Sequence, residues 1–122
     1  MTSSKKRILC VDDDSSTCDL ISYLLKDYEV ISVHSVEHGI REASEGGFDL
    51  VLLDYHLPDG SGFKLCLFIR QFDRNTPILF ITSAPITENQ VVTIGAQGLI
   101  KKGDDLSSNL VPIVERLLSQ SR

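Results

Sequence analysis

Four short apolar runs in this chain end in side chains suited to metal and phosphate chemistry. The run from Arg7 to Val11 ends in Asp12-Asp13, and the run from Asp49 ends in Asp54. The run from Pro77 ends in Thr82-Ser83, and a weaker one from Gln97 ends in Lys101-Lys102. Three carboxylates drawn together repel one another and take up protons unless a cation intervenes. A hard, oxygen-seeking divalent ion meets that need with a few carboxylates, a backbone carbonyl and water, and Mg²⁺ fits best. Three Asp, one Mg²⁺ and one Lys balance in charge. A cation, an ammonium and a hydroxyl around one carboxylate also equip a site for phosphoryl transfer, where positioning and charge neutralisation carry most of the work. The carboxylate would then be the nucleophile, forming an aspartyl phosphate.

Whether these residues meet depends on the elements that carry them. Arg7-Ile8-Leu9-Cys10-Val11 has no polar alternation, as expected of a strand covered on both faces. Asp12 to Ser16 can cap a helix in which Cys18, Ile21, Leu24, Leu25 and Tyr28 recur at helical spacing. Glu29–Val33 reads as a second strand and Val36–Glu45 as a helix stopped by Gly46-Gly47. Asp49–Asp54 is the third strand, Leu57–Gly62 a loop, and Phe63–Phe72 a helix with Leu65, Ile69 and Phe72 on one stripe. Pro77–Thr82 is the fourth strand and Gln97–Lys101 the fifth. Between them, the β-branched run at Val91-Val92-Thr93-Ile94 makes Thr87–Ile94 a poor helix. The last element places Leu106, Leu110, Val114 and Leu117 on a helical stripe. Pro112 fits a first turn if regular helix begins near Ser108 or Asn109. Five βα units imply an α/β fold, a doubly wound five-stranded parallel sheet with helices on both faces. Ligands of such sheets bind outside the carboxyl ends of the strands, where all four chemical runs terminate.

Ile8–Asp14, Asp49–Gly62, Ile81–Ala84 and Gly95–Lys102, in this order and spacing, resemble the response-regulator receiver domain, a (βα)5 CheY-like member of the flavodoxin-like folds. The resemblance runs from about residue 6 to residue 118, within one domain spanning 1–122. It implies that Asp54 accepts a phosphoryl group from a phosphohistidine on a sensor histidine kinase or histidine phosphotransfer protein. It further implies that Asp13 binds Mg²⁺ directly and Asp12 mostly through water, with Asp54 and the backbone carbonyl of His56 completing the protein ligands. Thr82 would donate its hydroxyl to the phosphoryl oxygens, and Lys102 would pair with the phosphoryl group. Such a domain catalyses only its own phosphorylation and dephosphorylation, and switches an effector protein or fused output domain through the face of the fourth helix, fifth strand and fifth helix. A phosphorylation-linked homodimer is left open.

This chain departs from the family pattern in three respects, and one assignment has a rival. Gly103 stands where Pro usually follows the Lys, so a trans peptide is expected there. Leu99 occupies the usual aromatic switch position, which removes the familiar Thr-to-aromatic coupling. The stretch from Thr82 to Lys102 is about two residues shorter than the family's, with the loss in the poor fourth helix. Lys101 rivals Lys102 for the catalytic assignment, and counting from Gly95-Ala96 favours Lys102.

Composition narrows the alternatives. The 122 residues suit one domain and carry 12 Lys+Arg against 17 Asp+Glu, a net charge of −5 that gives no support to direct nucleic-acid binding. Apolar runs of four or five residues exclude a membrane-spanning helix, and Met1–Arg7 is no signal peptide. Cys10, Cys18 and Cys66 lack metal or redox spacing and read as buried hydrophobes in a reducing cytoplasm. Asp14 reads as a helix cap, Gly60-Ser61-Gly62 as a turn, His56 as an exposed loop residue beside the site, and Lys5-Lys6-Arg7 as a solvated leader. Five βα units leave no effector region in this sequence. The alternatives are a degenerate receiver acting as a phosphorylation-independent binding module, a small aspartate-nucleophile phosphatase, and a flavin carrier. Asp54 lacks the second Asp two positions on that the phosphatase needs, and the first loop is acidic where a flavin carrier would cradle phosphate.

Overall fold

A computed structural model describes residues 5–120. The reading of the N-terminal stretch as no signal peptide falls in its first part, Met1–Ser4, outside the described residues. Five strands, β1 (Arg7–Val11), β2 (Glu29–Val33), β3 (Leu50–Leu53), β4 (Ile78–Thr82) and β5 (Gly98–Lys101), form one sheet. Its order is β2-β1-β3-β4-β5 and every pairing is parallel. Helices α1 (Ser15–Leu24), α2 (Val36–Glu45), α3 (Gly62–Phe72), α4 (Glu88–Thr93) and α5 (Asp104–Gln120) alternate with the strands. The expected α/β sheet is present.

The unbroken apolar strands follow from a core on each face. Leu9, Val11, Val51, Leu53, Ile78 and Phe80 pack with α2, α3 and α4. Their neighbours Ile8, Cys10, Leu50, Leu52, Leu79 and Ile81 pack with α1 and α5. Successive strand side chains point to opposite faces, so a strand covered twice has no polar position to spare. The three cysteines are free and buried, as their reading as small hydrophobes requires.

Several details differ from the sequence reading. Helix α5 is regular from Asp104, so Pro112 sits inside it rather than in its first turn. An interior Pro costs about 3 kcal/mol. Burial of Leu106, Leu110, Val114 and Leu117 along the same stripe outweighs that cost. Phe72, expected on the buried stripe of α3, is 49% exposed and stacks edge-on against Phe68. It is the last helical residue, and helical spacing predicts a face but not where the covering ends. Tyr28 lies beyond the end of α1, and Asp49 precedes β3, its carboxylate accepting the Arg7 N–H at 2.8 Å. The loop before α3 contains a two-residue antiparallel ladder, His56–Leu57 with Gly60–Ser61. The β-branched stretch does form a helix, α4, of only six residues. A reciprocal capping box between Thr87 and Gln90 starts it, and Val91 anchors it in the core.

Candidate functional site

Parallel pairing fixes where the chemical residues go. The Asp54 N–H donates to the Val11 carbonyl at 2.9 Å, continuing the β1–β3 ladder one step beyond its strands. This sets Asp12 and Asp54 side by side. At the other junction the Lys102 N–H donates to the Thr82 carbonyl at 3.1 Å. Asp12, Asp54 and Thr82 are 2%, 7% and 1% exposed, and with Thr17 they make up the buried polar and charged residues among those described. Burying such groups is costly without partners. Their concentration at one sheet edge marks a site.

The partners are present. The Asp12 carboxylate accepts the Asp14 N–H through Oδ1 at 2.9 Å and the Lys102 ammonium through Oδ2 at 2.9 Å. Asp54 is bound in the same way, by the Tyr55 N–H at 2.7 Å on Oδ1 and by Lys102 at 3.1 Å on Oδ2. Asp13 is exposed at the rim, and one carboxylate oxygen from each of Asp12, Asp13 and Asp54 lies within 4.8 Å of the others. One ammonium among three carboxylates leaves two negative charges uncompensated. This all-oxygen donor set fits a hard divalent cation. Burial raises the pKa of Asp12 despite the Asp14 N–H and Lys102. Burial works against the Lys102 ammonium, yet Asp12 and Asp54 outweigh it and raise the pKa of Lys102.

The two lysines separate cleanly. Lys102 reaches the carboxylates, whereas the Lys101 ammonium donates to the backbone carbonyls of Ala84 and Ile86 in the loop after β4. Thr82 Oγ1 accepts the Ala84 N–H at 3.2 Å in that same loop. Leu99 is half-buried against the core on the α2–α4 side of the sheet. All peptide bonds among the described residues are trans, including the one before Gly103. The His56 side chain is exposed, and its ring meets Tyr55 edge-on at 4.8 Å. Asp14 is the N-cap residue of α1 and accepts the Thr17 hydroxyl at 2.6 Å.

Four contributors escaped the sequence reading. His34 Nδ1 donates to the Asp12 carbonyl at 2.9 Å, and the Cys18 thiol donates to the same oxygen at 3.4 Å. Asp59, in the loop before α3, accepts the Val36 and Glu37 N–H groups at 2.7 and 3.0 Å and so caps α2 from a distance. Gly62 packs so closely beneath Asp54 that a Cβ would lie 2.1 Å from the Asp54 carbonyl oxygen. For Asp59 and Gly62 the only sequence signal is the Pro-Asp-Gly-Ser-Gly string, which announces a turn and nothing about what it touches.

Comparison with known proteins agrees with this geometry. A family model described as the response regulator receiver domain matches residues 8–111. The transcriptional regulatory protein SpaR of Bacillus subtilis is 38% identical over 100 residues, covering 81% of this chain and 43% of SpaR. The cell cycle transcriptional regulator CtrA of Caulobacter vibrioides is 30% identical over 117 residues, covering 90% of this chain and 51% of CtrA. The chain thus spans about half the length of these curated relatives, or less. Among solved structures, a CheY-like receiver domain protein from Methanospirillum hungatei superposes with a TM-score of 0.84 at 30% identity, covering 96% of this chain and 97% of that one.

Proposed function

The chain belongs to the response regulator receiver family of two-component signalling, and we propose that Asp54 is its phosphoacceptor. The donor is a phosphohistidine on a sensor histidine kinase or histidine phosphotransfer protein. An Asp54 carboxylate oxygen attacks the phosphorus. The new O–P bond forms as the P–N bond to the donor breaks, and the imidazole leaves with its electron pair. The observation that carries this reading is the buried Asp54 carboxylate, held by Lys102 inside a cluster of three carboxylates.

Each side chain has a distinct task. The Tyr55 N–H holds Asp54 Oδ1 and so orients the nucleophile. Lys102, already between Asp54 and Asp12, neutralises charge on the arriving phosphoryl oxygens. Thr82 turns its hydroxyl from the Ala84 N–H to a phosphoryl oxygen. Asp12, Asp13 and Asp54, with the His56 backbone carbonyl, would hold Mg²⁺. When bound, the ion supplies positive charge against the carboxylates and the transferring group. The domain works within the cytoplasm on itself alone, without turnover of an outside substrate, and its state is read by an effector protein or a fused output domain. Among the described residues no helix is long and apolar enough to cross a membrane. The paired and oriented Asp54 disfavours the phosphorylation-independent binding module.

Incubation with Mg²⁺ and acetyl phosphate, followed by intact-mass measurement, should show one added phosphoryl group on the wild type and none on Asp54→Asn. Beryllofluoride, a stable phosphoryl mimic, covers the case of a short-lived adduct. Neither adduct on the wild type, or an undiminished one on Asp54→Asn, removes the proposal.

A further inference from the structure

Helix α4 has little stability of its own. Six residues are far below the length at which an isolated helix persists. Two cations from other elements hold its flanks. Arg70, on α3, donates to the Gly95 carbonyl at 2.9 Å beyond the helix C-terminus, and to the Gln97 side chain at 3.2 Å. Lys101 holds the other end through the Ala84 and Ile86 carbonyls, the latter at 3.0 Å.

The Lys101 contact is directly connected to the phosphoacceptor site. Lys101 and Thr82 are paired in the β4–β5 register, and Lys101 and Lys102 point to opposite faces of the strand. One lysine therefore reaches the carboxylates while its neighbour reaches the loop leading into α4. The two chemistries converge on Ala84, which is buried. Its N–H is held by Thr82 Oγ1, and its carbonyl is held by Lys101 and by the Ile86 N–H at 2.8 Å. A Thr82 side chain that rotates to bring its hydroxyl to an anion on Asp54 draws Oγ1 away from the Ala84 N–H. The Ser83–Ala84 peptide is then free to rotate, and the accompanying change in the Ala84 backbone angles turns the Ala84 carbonyl away from the ammonium.

We infer that Lys101 is a positioning residue, a cationic latch that holds the β4–α4 loop in the unphosphorylated arrangement and is released when Thr82 turns to the phosphoryl group. The inference rests on Asp54 being the phosphoacceptor. It gives this chain a route from the site to α4 that needs no aromatic side chain at position 99, where Leu99 packs into the core.

The test compares wild type, Lys101→Met and Lys101→Arg by amide hydrogen exchange at Ile86 and Val91, with and without Mg²⁺ and beryllofluoride. A hydrogen bond from a charged group is strong enough that its release speeds exchange about tenfold or more. In the wild type, beryllofluoride should produce that acceleration at Ile86. In Lys101→Met exchange at Ile86 should already be fast, and beryllofluoride should change it less than about twofold. Affinity for beryllofluoride should rise several-fold, because no latch has to open. Lys101→Arg, which keeps the charge, should restore the ligand response, an outcome that a purely structural role would not produce. Amides of α2 report any global loss of stability, and Lys101→Gln replaces Lys101→Met if the latter does not fold. A wild-type response retained in the neutral variants, with unchanged affinity, overturns the latch alone. Failure of the wild type to bind beryllofluoride overturns the phosphoacceptor reading itself.

Discussion

Replacing Gly62 by Ala tests how tightly the floor of the site is built. The added Cβ would lie 2.1 Å from the Asp54 carbonyl oxygen, 2.9 Å from the Phe80 ring and 3.1 Å from the Asp54 carbonyl carbon. A Cβ essentially never approaches a heavy atom closer than 3.0 Å, so the Asp54 backbone must retreat by about 0.9 Å. No rotamer change relieves this contact, because the obstructing atom is main chain. That main chain is fixed by the Asp54-to-Val11 hydrogen bond, and Gly62 itself is fixed by its N–H to the Tyr55 carbonyl at 2.7 Å. Overpacking a core costs about 1–3 kcal/mol, and a backbone clash belongs at the upper end. Gly62 is the first residue of α3, so the helix-propensity gain from Ala is smaller than in a helix interior. We expect a net loss of about 3 kcal/mol. With a urea slope near ~2 kcal/mol per M, the unfolding midpoint should fall by about 1.5 M. The folded fraction should also lose affinity for Mg²⁺ and beryllofluoride, because Asp54 moves relative to Asp12 and Lys102. Gly98→Ala is the control: its Cβ would meet the Leu79 side chain at an ordinary 3.4 Å, so stability should stay within about 1 kcal/mol. A Gly62→Ala midpoint equal to that of the wild type, with unchanged ligand binding, would refute the argument from close approach.

Three further outcomes follow from the electrostatics. Asp13→Ala should remove the rise in Tm that Mg²⁺ gives the wild type, while raising Tm in metal-free buffer by relieving repulsion among the carboxylates; a retained Mg²⁺ response would exclude Asp13 as a ligand. Lys102→Met leaves the buried Asp12 carboxylate without its cation, and should cost about 3 kcal/mol at neutral pH in metal-free buffer. Burial raises the pKa of Asp12, so the folded state holds that proton more tightly than the unfolded chain does. Its contribution to stability is full below the unfolded carboxylate pKa and is lost as pH rises through the folded value, so the Lys102→Met deficit should shrink on acidification in urea titrations. Asp59 has the opposite sign: bonds from the Val36 and Glu37 N–H groups lower its pKa. Its stabilisation is present above the unfolded aspartate pKa and is lost as pH falls through the folded one, so Asp59→Ala should destabilise α2 at neutral pH and flatten the acid limb of the stability curve.

What could be read from the chain alone was whatever local pattern and parallel topology fix together. Unbroken apolar runs alternating with helical stripes dictate a parallel sheet covered on both faces. Parallel strands gather their carboxyl ends, so Asp12, Asp13, Asp54, Thr82 and Lys102 could be placed at one edge from their position at the ends of runs. Choosing Lys102 over Lys101 by spacing also agrees with the geometry, because adjacent strand residues face opposite ways and only one can reach the carboxylates.

Only the tertiary structure decided what lies between segments remote in sequence. The start of α5 at Asp104, well before Pro112, depends on how much apolar surface the sheet covers, which a local propensity cannot weigh. The half-exposure of Phe72 depends on where that cover stops. Asp59 caps a helix 22 and 23 residues earlier in the chain, Gly62 touches Asp54 across a loop, and Lys101 reaches carbonyls 15 and 17 residues before it. Each is a through-space contact whose partners share no local pattern. The residue types place the chemistry at the strand ends, and the packing determines which groups hold it in position.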